Sequence, residues 1–381
     1  MSDRRPAVRP PPGGRPSAAP ELRLEVHHAV EPVAQEWEEL AGRVGASPFL
    51  RPGWVGAWWR AFGTGRLEIV ALRRAGRLAA LIPLHARFGR CWSASNWHTP
   101  QFGMVAEADS LRRELAAALF ERGPVELSLA FVDAAGSDLA AVRAAAGDAG
   151  YRTLERTLQR SPFVVIEGAW DAYLRRLSRN RRSQVGRRRR RLEDQGRLVV
   201  ELTGGAARLD DLLEEAFGVE ASGWKGHNRS AIASRPETRR FYREIAQWAA
   251  RRDWLRIAFL RLDHRPLAVQ YLLEAKGTQY AIKGGYDPAF ERYSPGIVLL
   301  QALLERAFAT GLRRFCLGGT NDPYKTVFAT GHEDYQRLQA FAPTPAGQLD
   351  RLAFTHGRPM AKRLLAMRGR GARLAHWSSG G

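Results

Sequence analysis

Two stretches lying 188 residues apart set the terms for any fold this chain adopts. Leu67-Glu68-Ile69-Val70-Ala71-Leu72-Arg73 parallels Leu255-Arg256-Ile257-Ala258-Phe259-Leu260-Arg261. Both are short, apolar and β-rich, as buried strands are. Each leads into a turn holding an arginine, Arg77 or Arg265, and then into a second strand, Leu78–His85 or Leu267–Glu274. Each follows a helical pattern, Trp54–Phe62 or Thr238–Arg251. Shared pattern, shared order and shared flanks read as two related units. A chain of 381 residues has room for two domains with sizeable cores.

Around that pair the remaining elements fall into order. Residues 1–20, rich in Pro, Arg, Gly and Ala, read as a disordered tail. The first unit covers 21–160. It opens with a strand at Leu22–Val26 and a helix at Glu31–Leu40, with Val33, Trp37 and Leu40 on one face. After its hairpin comes a polar aromatic loop, Trp92–Met104, then a helix at Leu111–Phe120 that no glycine introduces. A strand at Val125–Phe131, a helix at Ser137–Ala149 and a strand at Tyr151–Leu158 follow, and the boundary falls near Arg160–Pro162. The second unit covers 161–345. It holds a helix at Asp210–Val219, a loop at Glu220–Asn228, a helix at Arg239–Arg251 and strands at Leu255–Leu262, Leu267–Glu274 and Thr278–Gly284. Ser294-Pro295-Gly296 then opens an apolar helix, Ile297–Thr310, which Gly311 stops before a strand at Arg313–Leu317. Residues 346–381 form a basic, partly amphipathic tail. Strands interleaved with helices place the chain in the α/β class, with mixed sheets flanked by helices.

The net charge is +20, and its placement narrows the partners. Residues 1–20 carry +3, residues 171–197 carry +8 and residues 351–381 carry +7, so the folded body is close to neutral. That argues against a chain-wide nucleic-acid surface. The segment Leu177–Gly196 is a largely basic helix whose arginine forks suit a cofactor 3′-phosphate, an acidic glycan or an anionic membrane. No aromatic residue interleaves those arginines, which weakens a single-stranded RNA reading. Cys91 and Cys316 lie far apart among large apolar residues and read as buried thiols of a reducing compartment. No apolar run is long enough to span a bilayer and no signal-peptide core follows the first arginines, so the expectation is a cytoplasmic protein with peripheral contact to anionic membrane. HExxH, paired CxxC, Walker and GxSxG patterns are missing, so no metal site is expected.

At Gly296-Ile297-Val298 a helix begins behind a glycine turn, directly after three strands. Free backbone N–H groups and the helix dipole there suit an anion such as a pyrophosphate. Several stretches extend the pattern: Gly285-Tyr286-Asp287-Pro288-Ala289-Phe290, Tyr293-Ser294-Pro295-Gly296, Gly311–Leu317, and Tyr324-Lys325 with Phe328. Together they resemble the core of the GNAT acyltransferases, and within them the CelD-like branch named from bacterial cellulose-biosynthesis operons. Leu177–Gly196 and Gly223-Trp224-Lys225-Gly226 also fit that branch, and the resemblance spans roughly Phe163 to Phe328. The branch is in turn similar to the Fem-type peptidyl transferases, which carry two GNAT-like units in one chain.

The resemblance implies two tandem GNAT-like units, the first degenerate. It implies transfer of an acyl group from acetyl-CoA or another acyl-CoA to an amine or hydroxyl of an envelope polysaccharide, sugar or lipid precursor. The grip on the cofactor falls on Tyr293, Ser294, Pro295, Gly296, Ile297 and Val298. Backbone N–H groups of Thr278–Gly284 face the thioester oxygen. Tyr324 protonates the departing thiolate, Lys325 beside it binds an acidic acceptor or phosphate, and Glu220 is the candidate base. Trp224 and Lys225, with Tyr286 and Asp287, fall at the acceptor. The family's Gln/Arg-x-x-Gly-x-Gly/Ala loop is degenerate here, since Glu291-Arg292-Tyr293-Ser294-Pro295-Gly296 keeps one glycine. Two rival readings are a Fem-type transferase using aminoacyl-tRNA and a non-catalytic scaffold docked on anionic membrane.

Overall fold

The two echoing hairpins close through the same turn. Ala75-Gly76 and Asp263-His264 have φ of 51° and 76°, and of 46° and 73°. Two successive positive φ values make the primed turn, whose twist matches that of antiparallel strands. The next connection repeats it, with Phe88-Gly89 at 52° and 72° and Lys276-Gly277 at 50° and 73°.

The computed structural model describes residues 21–204, 207–222, 232–319 and 322–357. The first unit comprises β1 (Leu22–His27), α1 (Ala34–Arg43), α2 (Pro52–Phe62), β2 (Arg66–Arg74), β3 (Arg77–Arg87), β4 (Arg90–Ser93), β5 (Val105–Ala106), α3 (Asp109–Glu121), β6 (Glu126–Asp133), α4 (Ser137–Asp148) and β7 (Arg152–Val165). Two helices, α5 (Trp170–Arg176) and α6 (Arg179–Glu193), lead into the second unit. This comprises β8 (Leu198–Thr203), α7 (Leu209–Ser222), α8 (Pro236–Ala250), β9 (Leu255–Leu262), β10 (Arg265–Ala275), β11 (Thr278–Tyr286), α9 (Pro295–Ala309), β12 (Arg314–Cys316), α10 (Pro323–Thr326) and β13 (Gly331–Phe341), and α11 (Pro345–Leu352) follows it. Helices flank one mixed sheet in a tandem α/β arrangement, as the sequence leads one to expect. The segment Arg160–Pro162 lies inside β7, and α7 extends through Glu220 to Ser222, so Glu220 belongs to a helix and not to a loop.

The sheet has thirteen strands, ordered β1-β2-β3-β4-β6-β13-β7-β12-β11-β10-β9-β8, with β5 beside β3. Read inward from its two edges, the order is the same twice. In each half three antiparallel pairings are followed by one parallel pairing, β4 with β6 or β11 with β12. The last strand of each unit crosses the middle. Thus β7 pairs with β12 of the second unit, β13 pairs with β6 of the first, and β7 and β13 pair antiparallel between them.

The likeness extends to irregularities. The β2–β3 register jumps between Leu72↔Ala80 and Arg73↔Leu78, and the β9–β10 register between Leu260↔Ala268 and Arg261↔Pro266. These bulges fall 188 residues apart, at the spacing of the sequence echo. So does an ionic clamp. Arg73 donates from Nε to Glu25 of β1 (2.8 Å) and from both terminal nitrogens to Glu36 of α1 (2.6 and 2.8 Å). Arg261 donates from Nε to Glu201 of β8 (2.6 Å) and from both terminal nitrogens to Glu215 of α7 (2.6 and 2.8 Å). Each clamp ties edge strand, hairpin and first helix of its unit. Hydrogen bonding to the arginine first, with its charge adding, holds Glu25, Glu36 and Glu215 below the ordinary carboxylate range.

One core serves both units. Trp54 and Trp58 of α2 meet Phe241, Tyr242 and Ile245 of α8, above Phe259 and Tyr271 of the second hairpin. The Trp54 and Phe241 rings meet edge to face at 5.2 Å. Gly53 admits the Trp248 indole, which a Cβ there would meet at 1.9 Å. The opposite face is divided: α3 and α4 cover the first unit, while α5, α6 and α9 cover the second.

Candidate active site

β11 and β12 pair over only three residues each, Thr278–Tyr280 with Arg314–Cys316. Beyond Tyr280 and Cys316 they part. Gly318 and Gly319 turn the chain away at φ of 64° and 62°. The two backbones still touch at Gly318, where a Cβ would lie 2.1 Å from the Ala281 carbonyl oxygen. β11 runs on to Tyr286 with β10 on one side and no described strand on the other. Its register against β10 jumps between Tyr271↔Lys283 and Leu272↔Ala281, which leaves Ile282 in a bulge. A bulge re-aims backbone groups, and this one lies where the strands separate.

The start of α9 stands at the mouth of this splay. Ser294 has φ of 55°, and its carbonyl accepts from Ile297 N–H (3.0 Å) and Val298 N–H (3.2 Å). The expectation of three free N–H groups is therefore corrected. Ser294 folds its own carbonyl over the first turn and Pro295 has no N–H, so Gly296 keeps the one N–H of that turn that meets no acceptor among the described residues. A Cβ on Gly296 would lie 3.7 Å from Tyr286 Cδ1, an ordinary contact, so the space before it is open. Tyr293 accepts a hydrogen bond from Arg292 (2.7 Å) on the turn that precedes.

The family model for the acetyltransferase (GNAT) domain matches residues 179–326. Over these residues the chain is similar to GNAT-type acetyltransferase domains. Among solved structures, FemX is similar over 85% of this chain and 99% of its own, at 14% identity and a TM-score of 0.57. L-PGS from Bacillus licheniformis is similar over 87% of this chain and 98% of its own, at 14% identity and a TM-score of 0.52. At such identities the likeness is one of fold. A comparison with curated proteins found no match.

Within the matched residues the expected site residues divide. Tyr286 lies close enough to Tyr324 to help raise its phenol, and it also borders Gly296. Tyr324 is 44% exposed, yet burial, with Asp322 and then Tyr286 adding, pushes its phenol up to about 12. The Tyr286 hydroxyl donates to Glu291 (3.2 Å). Lys325 is a brace: its ammonium joins the Gly318 carbonyl (2.9 Å) to Asp322 (2.8 Å), holding the turn that ends the splay. Asp287 starts the turn before α9 by accepting from Ala289 N–H (3.0 Å), and it pairs with Arg265 (2.5 Å). Glu220 is 2% exposed and accepts from Ile232 N–H (2.8 Å). Its Cα lies 2.5 Å from where a Cβ on Gly285 would stand, so α7 and β11 touch backbone to backbone there. Trp224 and Lys225 lie outside the described residues.

The first unit has the same parallel pairing, Arg90–Trp92 with Glu126–Ser128, but its gap is filled by its own chain. Ser93 Oγ accepts from Ala130 N–H (3.0 Å), Ser95 Oγ donates to the Ala130 carbonyl (3.3 Å), and Phe102 bridges to Val132. Met104 N–H is held by Asp138 (2.7 Å). Its helix, α3, begins with Asp109, a charge that repels phosphate.

Sequence reasoning missed a chamber of about 230 Å³ at the seam, on the shared-core side of the splay. Phe49 and Gln101 of the first unit line it with Ile282, Arg314, Cys316 and Glu333 of the second. Arg314 pairs with Glu333 (2.6 Å) and lies 3.7 Å over the Phe163 ring. Burial pushes the Cys316 thiol up to about 12, which keeps it neutral. The signal for this chamber lay in β13, which supplies Glu333 and which the sequence reading left out.

Proposed function

We propose that this chain is an acyltransferase. It moves an acyl group from an acyl-CoA, with acetyl-CoA the simplest donor, to an amine or hydroxyl of an envelope polysaccharide, sugar or lipid precursor. One observation supports this above the rest. Of two equivalent splays, the second is open beside a bulged strand edge and a helix start, while the first is filled. The acceptor class follows from the resemblance to the CelD-like branch.

The donor supplies a thioester. Gly296 and the start of α9 hold its phosphates, and the free edge of β11 near Ile282 gives N–H groups to the thioester oxygen as charge develops there. The acceptor reaches the carbonyl carbon from the seam chamber, so the first unit serves as one wall of the site. A new C–N or C–O bond forms, the C–S bond breaks, the Tyr324 hydroxyl passes its proton to the departing sulfur, and the proton that the acceptor amine or hydroxyl sheds leaves through solvent and restores the phenol. At neutral pH the phenol carries its proton, and its rise to about 12 makes it a weaker acid than a free tyrosine, so the transfer relies on its position beside the sulfur. Glu220 keeps α7 in place around these groups, and Lys325 joins Gly318 to Asp322.

Gly296→Val tests the reading. The residue has room for a side chain, so the variant folds, but the branched group occupies the space where phosphate approaches. Titration with acetyl-CoA is expected to show binding by the wild type and none by the variant at equal melting temperature. Wild-type affinity in the folded variant would remove this site from consideration.

A further inference from the structure

The arginine helix is the strongest charged feature that the proposed reaction leaves unused. α6 carries eight arginines and one acid between Arg179 and Glu193. Arg182 caps the carbonyls of Arg175 and Leu177 (2.9 Å each), and Arg189 pairs with Glu193 (2.8 Å). The other six form no ion pair among the described residues.

Its position gives those charges a target. Leu192 is fully buried in one core with Val298 and Leu299 of α9, and α6 packs against α9 and against the 3-10 turn Pro288–Tyr293. The chain leaving α6 is pinned by Arg197, whose N–H donates to Asp263 (2.8 Å) and whose carbonyl accepts from Asp263 N–H (3.0 Å). Two residues on, Arg265 pairs with Asp287 and covers the Phe290 ring at 5.1 Å, within the turn that leads to Ser294. The C-terminal half of α6 therefore lies along the mouth of the splay. Arg188, one turn before Leu192, is half-buried, while its neighbours in 187–191 are exposed. Arg187, Arg188 and Arg191 share a helix face by their i, i+3 and i+4 spacing.

We propose that this face holds the 3′-phosphate of the acyl-CoA donor. The proposal rests on the acyl-CoA reading above and names residues which that reading does not use. The start of α9 offers a single free N–H and the loop before it a single glycine, so the charged end of the donor draws its cations from elsewhere. Planar guanidinium forks suit a phosphate dianion. With no aromatic side chain between Arg179 and Glu193, the helix lacks the aromatic platforms on which single-stranded RNA bases usually stack.

The test is titration of the full chain with CoA and with 3′-dephospho-CoA. The wild type is expected to bind CoA about tenfold more tightly, since a charge-assisted phosphate contact is worth that much. The triple variant Arg187→Gln, Arg188→Gln, Arg191→Gln is expected to bind both ligands alike, at an unchanged melting temperature. Arg188→Gln alone, a milder change, is expected to lose part of the preference. A wild type without preference, or a folded variant that keeps it, overturns the proposal. Total tRNA retained by the wild type and released by the triple variant, with the CoA preference intact, also overturns it and assigns the face to RNA. If the wild type binds neither CoA form, the donor reading fails first and takes this one with it.

Discussion

Tyr324 is accessible and carries its proton at neutral pH, as a general acid must, while burial makes that proton harder to give. Tyr324→Phe keeps the ring and removes the proton. Turnover is expected to fall roughly 10²–10⁴-fold with acetyl-CoA binding and melting temperature unchanged, and unchanged turnover with chemistry rate-limiting would rule it out. His98 makes a second residue-level claim. Its ring stacks on Phe62 at 5.3 Å and bonds the Tyr242 hydroxyl (3.2 Å), placing a first-unit imidazole inside the shared core. Burial first, then the charges of Lys283 and Arg235, pushes it down to about 4 from the ordinary 6.5. The unfolded chain thus takes up this proton first as acid is added. The contribution is full above about pH 6.5 and is lost as pH falls towards 4, on the order of 3 kcal/mol in all. Urea titrations across that range are expected to show this slope in the wild type and not in His98→Gln. Equal slopes would place the acid sensitivity elsewhere.

Among the elements, the paired clamps carry the clearest sign of two related units. Arg73→Ala and Arg261→Ala each strip a helix and an edge strand of the arginine that ties them to the hairpin. Each is expected to cost about 2 kcal/mol in chemical denaturation, as hydrogen bonds to charged groups do. The two costs should add, because the clamps sit in opposite halves of the sheet. A double variant no less stable than either single one would contradict independent clamps. The sequence makes the hairpins legible because buried strands with type-favouring turns repeat at one spacing. It hides β8 and β13 for a physical reason. Val199 and Val200 of β8 are partly exposed on an edge, so the strand does not alternate, and it follows directly on a charged helix. β13 begins Gly-His-Glu-Asp because that end lies at the polar seam, and its apolar pattern appears only from Leu338 to Phe341. Ser294 could be read as the start of a helix, but not as a left-handed residue that caps two of its N–H groups. Trp92–Met104 could be read as a departure from the second unit, but not as the filling of a splay.

For the molecule as a whole, the exchange of β7 and β13 is decisive. Each unit lends its last strand to the other sheet, and both rest on a common aromatic core. Residues 21–168 and 169–345, divided after β7, are each expected when produced separately to be insoluble or molten by near-ultraviolet circular dichroism, and to regain structure when refolded together. Two soluble, cooperatively melting halves would contradict that interdependence. The exchange also explains why a filled unit persists beside an open one, since the first wall of the seam chamber cannot be removed without losing the sheet. Hydrogen exchange with and without acetyl-CoA measures this asymmetry directly. Peptides across 281–298, the free edge of β11 and the start of α9, are expected to slow on addition of the donor, while peptides across 93–109 stay unchanged. Protection at 93–109, or a bound donor that leaves 281–298 exchanging as before, would contradict the assignment of the open splay as the donor site.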